Sequence, residues 1–271
     1  MATGSTRTAA WWPRCDRRWA SSASLALIVL FQFVCGATPV AAGVTSRFSV
    51  QIEGGAVWQT RNDVQIPNDA AATRFSLLDL IGPGPWPAGR VYLTWRVGER
   101  HALRALFAPL SVTGTGVPDQ AIGFAGETYA PGKPTEATYQ FNSYRLTYRY
   151  RLHEGDRWIW WTGFTAKVRD AEIALRQGPV SSRKADVGFV PLLHLASAWR
   201  FAPGWNLALD ADALAGGPGR AEDVALTLNR ALGKTLTVYG GYRTVEGGAD
   251  VDEVYAFAWL HYAVAGLEYR F

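Results

Sequence analysis

Beyond Arg47, apolar and polar residues alternate along much of the chain. Reading back in steps of two from Phe271 gives Tyr269, Leu267, Ala265, Ala263, His261, Trp259, Phe257 and Tyr255, while Arg270 and Glu268 take the other parity. A period of two puts successive side chains on opposite faces of an extended strand. One face of this last segment is therefore apolar and aromatic, apart from His261. The alternation recurs near 48–59, 89–98, 100–109, 143–151, 158–169, 187–201, 204–215, 221–232, 234–246 and 252–271, which makes ten predicted strands. It is cleanest where Tyr144, Leu146, Tyr148 and Tyr150 alternate with Ser143, Arg145, Thr147, Arg149 and Arg151. Turn-forming stretches such as His153-Glu154-Gly155-Asp156 and Ala202-Pro203-Gly204 separate the segments.

Short strands of alternating polarity joined by turns are the pattern of a β-barrel that crosses a membrane. Starting from the first segment the links are alternately long and short, with three long links of 17 residues or more separated by short ones, then a tight turn. That places the long loops at one end and both termini at the other. The apolar face holds most of the Trp, Tyr and Phe, and the opposite face holds the arginines. A soluble barrel turns its apolar face inward, so this assignment reads as apolar outside and charged inside. Trp158, Trp160, Trp161, Trp199 and Trp205 cluster near short turns and read as an interfacial girdle. Pro191 falls inside the sixth segment, where it cannot donate to a ladder, and so marks a bulge or a position above the membrane.

The apolar terminal strand ending in Tyr269 and Phe271 resembles the closing strand of bacterial outer-membrane β-barrels. The resemblance implies an all-β, antiparallel, up-and-down transmembrane barrel of about ten strands in the bacterial outer membrane. It also implies that Phe271 and Tyr269 form part of the signal read by the barrel assembly machinery, and that lipid and lipopolysaccharide surround the chain.

The amino terminus fits that location. Arg7, Arg14, Arg17 and Arg18 precede an apolar run from Ser24 to Val34, and Pro39 to Gly43 supplies small residues for cleavage after Ala42. The run is shorter than the roughly 20 residues a spanning helix needs. Residues 1–42 are expected to be a signal peptide and 43–271 the barrel. Both cysteines, Cys15 and Cys35, lie in that leader, so the remainder offers no disulfide, thiolate metal site or cysteine nucleophile. The whole chain has 27 basic and 23 acidic side chains; the leader holds four Arg and one Asp, which leaves 23 against 22. A net basic face for nucleic acid is absent. No cofactor motif is present, and the composition gives no oligomeric state.

Candidate chemistry belongs to the inward face. Glu53, Arg96, Arg145, Arg149, Lys167, Arg169, Asp210, Asp212, Asp223 and Arg243 are expected to form a lumen network in which ionised groups pair, because an unpaired charge in a narrow interior is costly. If the turn at 202–204 sets register, His194 faces Asp212. A His oriented by a carboxylate is the core of many general-base arrangements. In this respect the chain is similar to outer-membrane lipid A deacylases and omptin proteases, which implies His194 and Asp212 as a catalytic pair with Ser143 or an activated water as nucleophile. The acidic stretch Glu246 to Glu253 offers oxygens for a cation, without EF-hand spacing. The proline-rich stretch Gly82 to Pro87 reads as a stiff loop over the barrel mouth.

Overall fold

A computed structural model describes residues 46–271; the expected leader lies outside the described residues. The chain forms β1 (Phe48–Gln65), β2 (Phe75–Ser76), α1 (Leu78–Ile81), β3 (Trp86–Arg96), β4 (His101–Ala108), β5 (Ser111–Gly116), β6 (Ile122–Phe124) and β7 (Glu127–Tyr129). It continues as β8 (Thr135–Glu154), β9 (Trp158–Gln177), β10 (Val180–Ala202), β11 (Trp205–Gly216), β12 (Gly219–Leu232), β13 (Leu236–Val251) and β14 (Val254–Arg270). Strands β4 and β5 both pair with β8 and together make one stave. Each long strand pairs antiparallel with its sequence neighbour, and β14 closes on β1 from Ser49↔Arg270 to Gln65↔Tyr255. The result is a closed barrel of ten staves, which leaves no exposed sheet edge at the closure.

The faces divide as the period-two pattern requires. Leu146, Phe164, Phe189 and Leu193 project outward and are exposed, whereas Ser143, Arg145, Thr147, Thr165, Lys167 and His194 are buried inside. Apolar outside and charged inside is the polarity of a transmembrane barrel. The apolar band has a visible upper limit. On β8 the outward residues change from Tyr148, Leu146 and Tyr144 to Asn142, Gln140, Thr138 and Glu136; on β9 they change from Phe164, Ala166 and Val168 to Asp170, Glu172 and Arg176. Above that limit the ladder is crossed by ion pairs from Arg176 to Glu136 at 3.0 Å and from Arg183 to Glu172 at 3.7 Å.

The strands are longer than the apolar pattern indicates. β8 and β9 have 20 residues each and β10 has 23, against roughly 9–11 for crossing a bilayer. The 17-residue loop expected between the fifth and sixth segments is instead the continuation of β9 and β10, joined at Gly178, whose φ of 58° suits glycine. Pro191 sits in unbroken register with Ala166, with no bulge. The ladder between β10 and β11 begins only at Leu193, so Pro191 lies where β10 has one neighbour. The last link is likewise a tight turn between Val251 and Val254.

The two longest connections fold into the end of the barrel opposite Phe48 and Arg270. Leu77 and Leu80 from the first, and Ile122, Phe124 and Tyr129 from the second, are buried against Val57, Val64, Ala137, Tyr139, Ile173 and Leu175 of the wall. The proline-rich loop is tied down where the Gln59 side-chain amide donates to the Gly82 carbonyl at 2.7 Å. Helix α1 passes so close to β5 that a Cβ at Gly114 would stand 2.6 Å from Ile81 and one at Gly116 would stand 2.2 Å from Asp79. Glycine is therefore needed there to let backbone approach backbone. This apolar stopper resembles a small soluble core set inside the barrel mouth.

Candidate functional site in the barrel lumen

Beneath the stopper, strand register gathers the charged side chains. The tight turn after β10 aligns His194 with Asp212, as expected from its position, and the next ladder aligns Asp212 with Asp223. Two carboxylates thus face each other on neighbouring strands, an arrangement that repels when nothing intervenes. Arg145 intervenes from the far wall. Its guanidinium reaches Asp212 at 2.9 Å through Nη1 and Asp223 at 2.7 Å through Nη2, while Nε donates to the Ser143 hydroxyl at 3.0 Å. Ladder register fixes the height of each group, and the fork geometry of arginine joins them.

Further cations complete the cluster. Asp223 also accepts from Arg90 at 3.1 Å and from Arg243 at 2.6 Å. Glu53 stands 3.3 Å from Arg243 and 3.9 Å from Arg90, and Tyr239 donates to it at 3.3 Å. Asp210 is held by Arg104 at 2.7 Å, with Arg149 at 3.7 Å. Asp212 additionally accepts from the Thr165 hydroxyl at 2.8 Å and meets His194 Nδ1 at 2.8 Å. Between Tyr92, Arg104, Arg145, Asp210, Asp212 and Arg243 no void remains that would admit a water molecule.

Most of the expected network is brought together: Glu53, Arg145, Arg149, Asp210, Asp212, Asp223 and Arg243 all take part. Three members stand apart. Arg169 pairs with Asp186 above the apolar band, because the extended β10 supplies a carboxylate that the shorter predicted strand lacked. Lys167 has no ion pair among the described residues and lies over the Phe141 ring at 4.8 Å. Arg96 faces the short-turn end with no carboxylate partner among the described residues.

Sequence reasoning missed Arg90 and the inward tyrosines Tyr92, Tyr239 and Tyr262, all buried. Their parity was readable. Arg90 and Tyr92 share the face of Thr94 and Arg96, and Tyr239 shares that of Arg243. Trp161, expected in the outer girdle, is also inward and packs on Arg149 at 5.1 Å. Trp158, Trp160 and Trp199 do form an external stack, with centroids 5.6 and 6.0 Å apart.

His194 is almost wholly enclosed, at 1% exposure, and its Nε2 has no hydrogen-bond partner among the described residues. Ser143 is equally buried, and its hydroxyl is engaged by Arg145 rather than by His194. The acidic loop is dispersed in pairs: Glu246 meets Arg220, and Asp250 accepts from Asn68 at 2.8 Å. No group of three or more potential metal ligands occurs among the described residues.

No family model matches the chain, and no curated protein does either. Solved structures with a similar arrangement of strands include the outer-membrane protease OmpT of Escherichia coli, at 13% identity and a TM-score of 0.48, covering 87% of this chain and all of that one. The attachment protein Ail of Yersinia pestis aligns over 83% of this chain and 99% of its own, at 10% identity and a TM-score of 0.35. Neisserial surface protein A aligns over 83% of this chain and 97% of its own, at 10% identity and a TM-score of 0.36. A protease, an adhesion-related protein and a surface protein at such scores assign no activity. The chain has the fold and the exterior of a bacterial outer-membrane β-barrel.

Proposed function

We propose that the protein is an integral outer-membrane barrel whose lumen is closed, with a structural role in the envelope and no enzymatic activity. The observation that carries this reading is the bridge from Arg145 to both Asp212 and Asp223, which ties opposite walls together at mid-lumen and leaves no room for a water molecule between it and Tyr92, Arg104, Asp210 and Arg243. The apolar stopper above adds a second closure. Orientation follows from loop length, with the long connections outside and the short turns and both barrel termini in the periplasm. The partners on this reading are outer-leaflet lipid and lipopolysaccharide around the apolar band, and the barrel assembly machinery through Tyr269 and Phe271.

Cell fractionation combined with heat-modifiable gel mobility tests the location and the closed barrel. Recovery in the outer membrane with a mobility shift on boiling is expected; recovery in the periplasm as a soluble protein would contradict the reading. Solute-driven swelling of proteoliposomes tests closure, with a rate no higher than that of protein-free vesicles expected.

A second reading is favoured by one observation, the 2.8 Å contact between His194 Nδ1 and Asp212 with no partner for Nε2 among the described residues. That is the orientation of a general base, and it supports a hydrolase acting on lipid or peptide. Burial argues against it, because a base must reach its substrate. Comparing lipid A profiles and peptide cleavage for the wild type and His194→Ala separates the two readings. No difference is expected from a variant that folds.

A further inference from the structure

Below the charge cluster the lumen widens into a vestibule of about 460 Å³ that opens among the short turns. Its wall carries eight arginines against five carboxylates, a surplus of three positive charges. Part of the wall is internally neutralised. Arg270 meets Glu268 at 2.9 Å, Arg200 meets Glu154 at 3.1 Å, and Arg104 meets Asp210 at 2.7 Å.

Besides Arg100, which is exposed at the rim and donates to the Tyr150 hydroxyl, two arginines are left short of negative charge. Arg149 must share Asp210 with Arg104, stands 3.7 Å from it, and has a buried Nε without a hydrogen-bond partner among the described residues. Arg96 has no ion pair among the described residues. Register brings these two together: Arg96 aligns with Ala102 on β4, and Ala102 aligns with Arg149 on β8. They therefore occupy one inward row with a single small residue between them. Strands lie about 4.8 Å apart, so the two backbones are about 10 Å apart and both long side chains can converge on one group. Trp161 backs Arg149 with its ring.

Two guanidinium groups that converge on one point of this wall would repel unless an anion joined them there. Guanidinium presents paired N–H donors that match phosphate and carboxylate oxygens. The cavity volume falls within the range of small-molecule sites, about 300–1,000 Å³. From these observations we infer that the vestibule binds a small polyanion bearing phosphate or carboxylate groups, gripped between Arg96 and Arg149. On the orientation given above the ligand arrives from the periplasm, but the site itself depends only on the lumen geometry.

Isothermal titration of the folded, detergent-solubilised barrel at low ionic strength tests this, with inorganic pyrophosphate in one series and citrate in another. Saturable one-to-one binding of at least one probe is expected, and the series that saturates identifies the ligand class. Arg96→Gln and Arg149→Gln should each weaken it about tenfold, the cost of one charge-assisted contact. Arg183→Gln, at the opposite end of the barrel, should leave it unchanged. Absence of saturable binding of both probes to the wild type would overturn the inference, as would full-strength binding by a folded Arg96→Gln. Heat-modifiable mobility reports folding of each variant, and Arg96→Gln, which breaks no ion pair among the described residues, decides the matter if Arg149→Gln fails to fold.

Discussion

Arg145 is the residue on which the lumen cluster turns, since it separates two carboxylates that strand register places side by side. A buried ion network does not by itself imply a more stable fold, because taking charges out of water offsets much of their attraction. Removing one partner is a different matter. Arg145→Glu would leave Asp212 and Asp223 opposed beside a third carboxylate, and a loss of about 3–5 kcal/mol or failure to fold is expected. Urea unfolding of the barrel in detergent micelles measures this; an unchanged midpoint would show that the bridge is dispensable. His194 makes one buried contact, with Asp212, and its loss is expected to cost about 1–3 kcal/mol while leaving lipid and peptide substrates unaltered. Much of this cluster was legible at the residue scale. The turn at 202–204 sufficed to pair His194 with Asp212. Arg90 and Tyr92 carried the same parity signal and were passed over, because a tyrosine between Val91 and Leu93 does not stand out from an apolar run.

Among the strands, the outward face is as diagnostic as the lumen. Leu146 lies on β8 in the apolar band at 52% exposure. Leu146→Arg is expected to cost about 2–4 kcal/mol near mid-depth by placing a charge in lipid, again read from unfolding midpoints. A tolerated substitution would mean that Leu146 does not face the bilayer. The aromatic end of β14 bears on assembly instead of stability, and deletion of Phe271 should lower the folded yield in the outer membrane. Equal yield with and without it would detach the terminal aromatic from assembly. Strand existence was readable wherever one face met lipid. Above the band the alternation inverts, with Asp170, Glu172 and Arg176 of β9 outward and Ile173 and Leu175 inward against the stopper, so the apolar-outward pattern stops short of the strand's end. Arg169 reads as a member of the central network for the same reason, since its partner Asp186 lies in what reads as a loop.

Across the whole molecule the lumen has three layers with different chemistry: an apolar stopper built from loops, a closed charge cluster, and a cationic vestibule. The stopper could not be anticipated, because Leu77, Leu80, Phe124 and Tyr129 lie in segments without periodicity and become core only when the loops fold into the mouth. The two closures are independent, so shortening the 117–134 connection should expose the lumen from outside without opening a path through it. Closure is the central claim and is most directly tested by single-channel recording of the purified barrel in planar bilayers. No conductance, or only rare and small openings, is expected for the wild type. Large, stable openings would contradict the closed lumen.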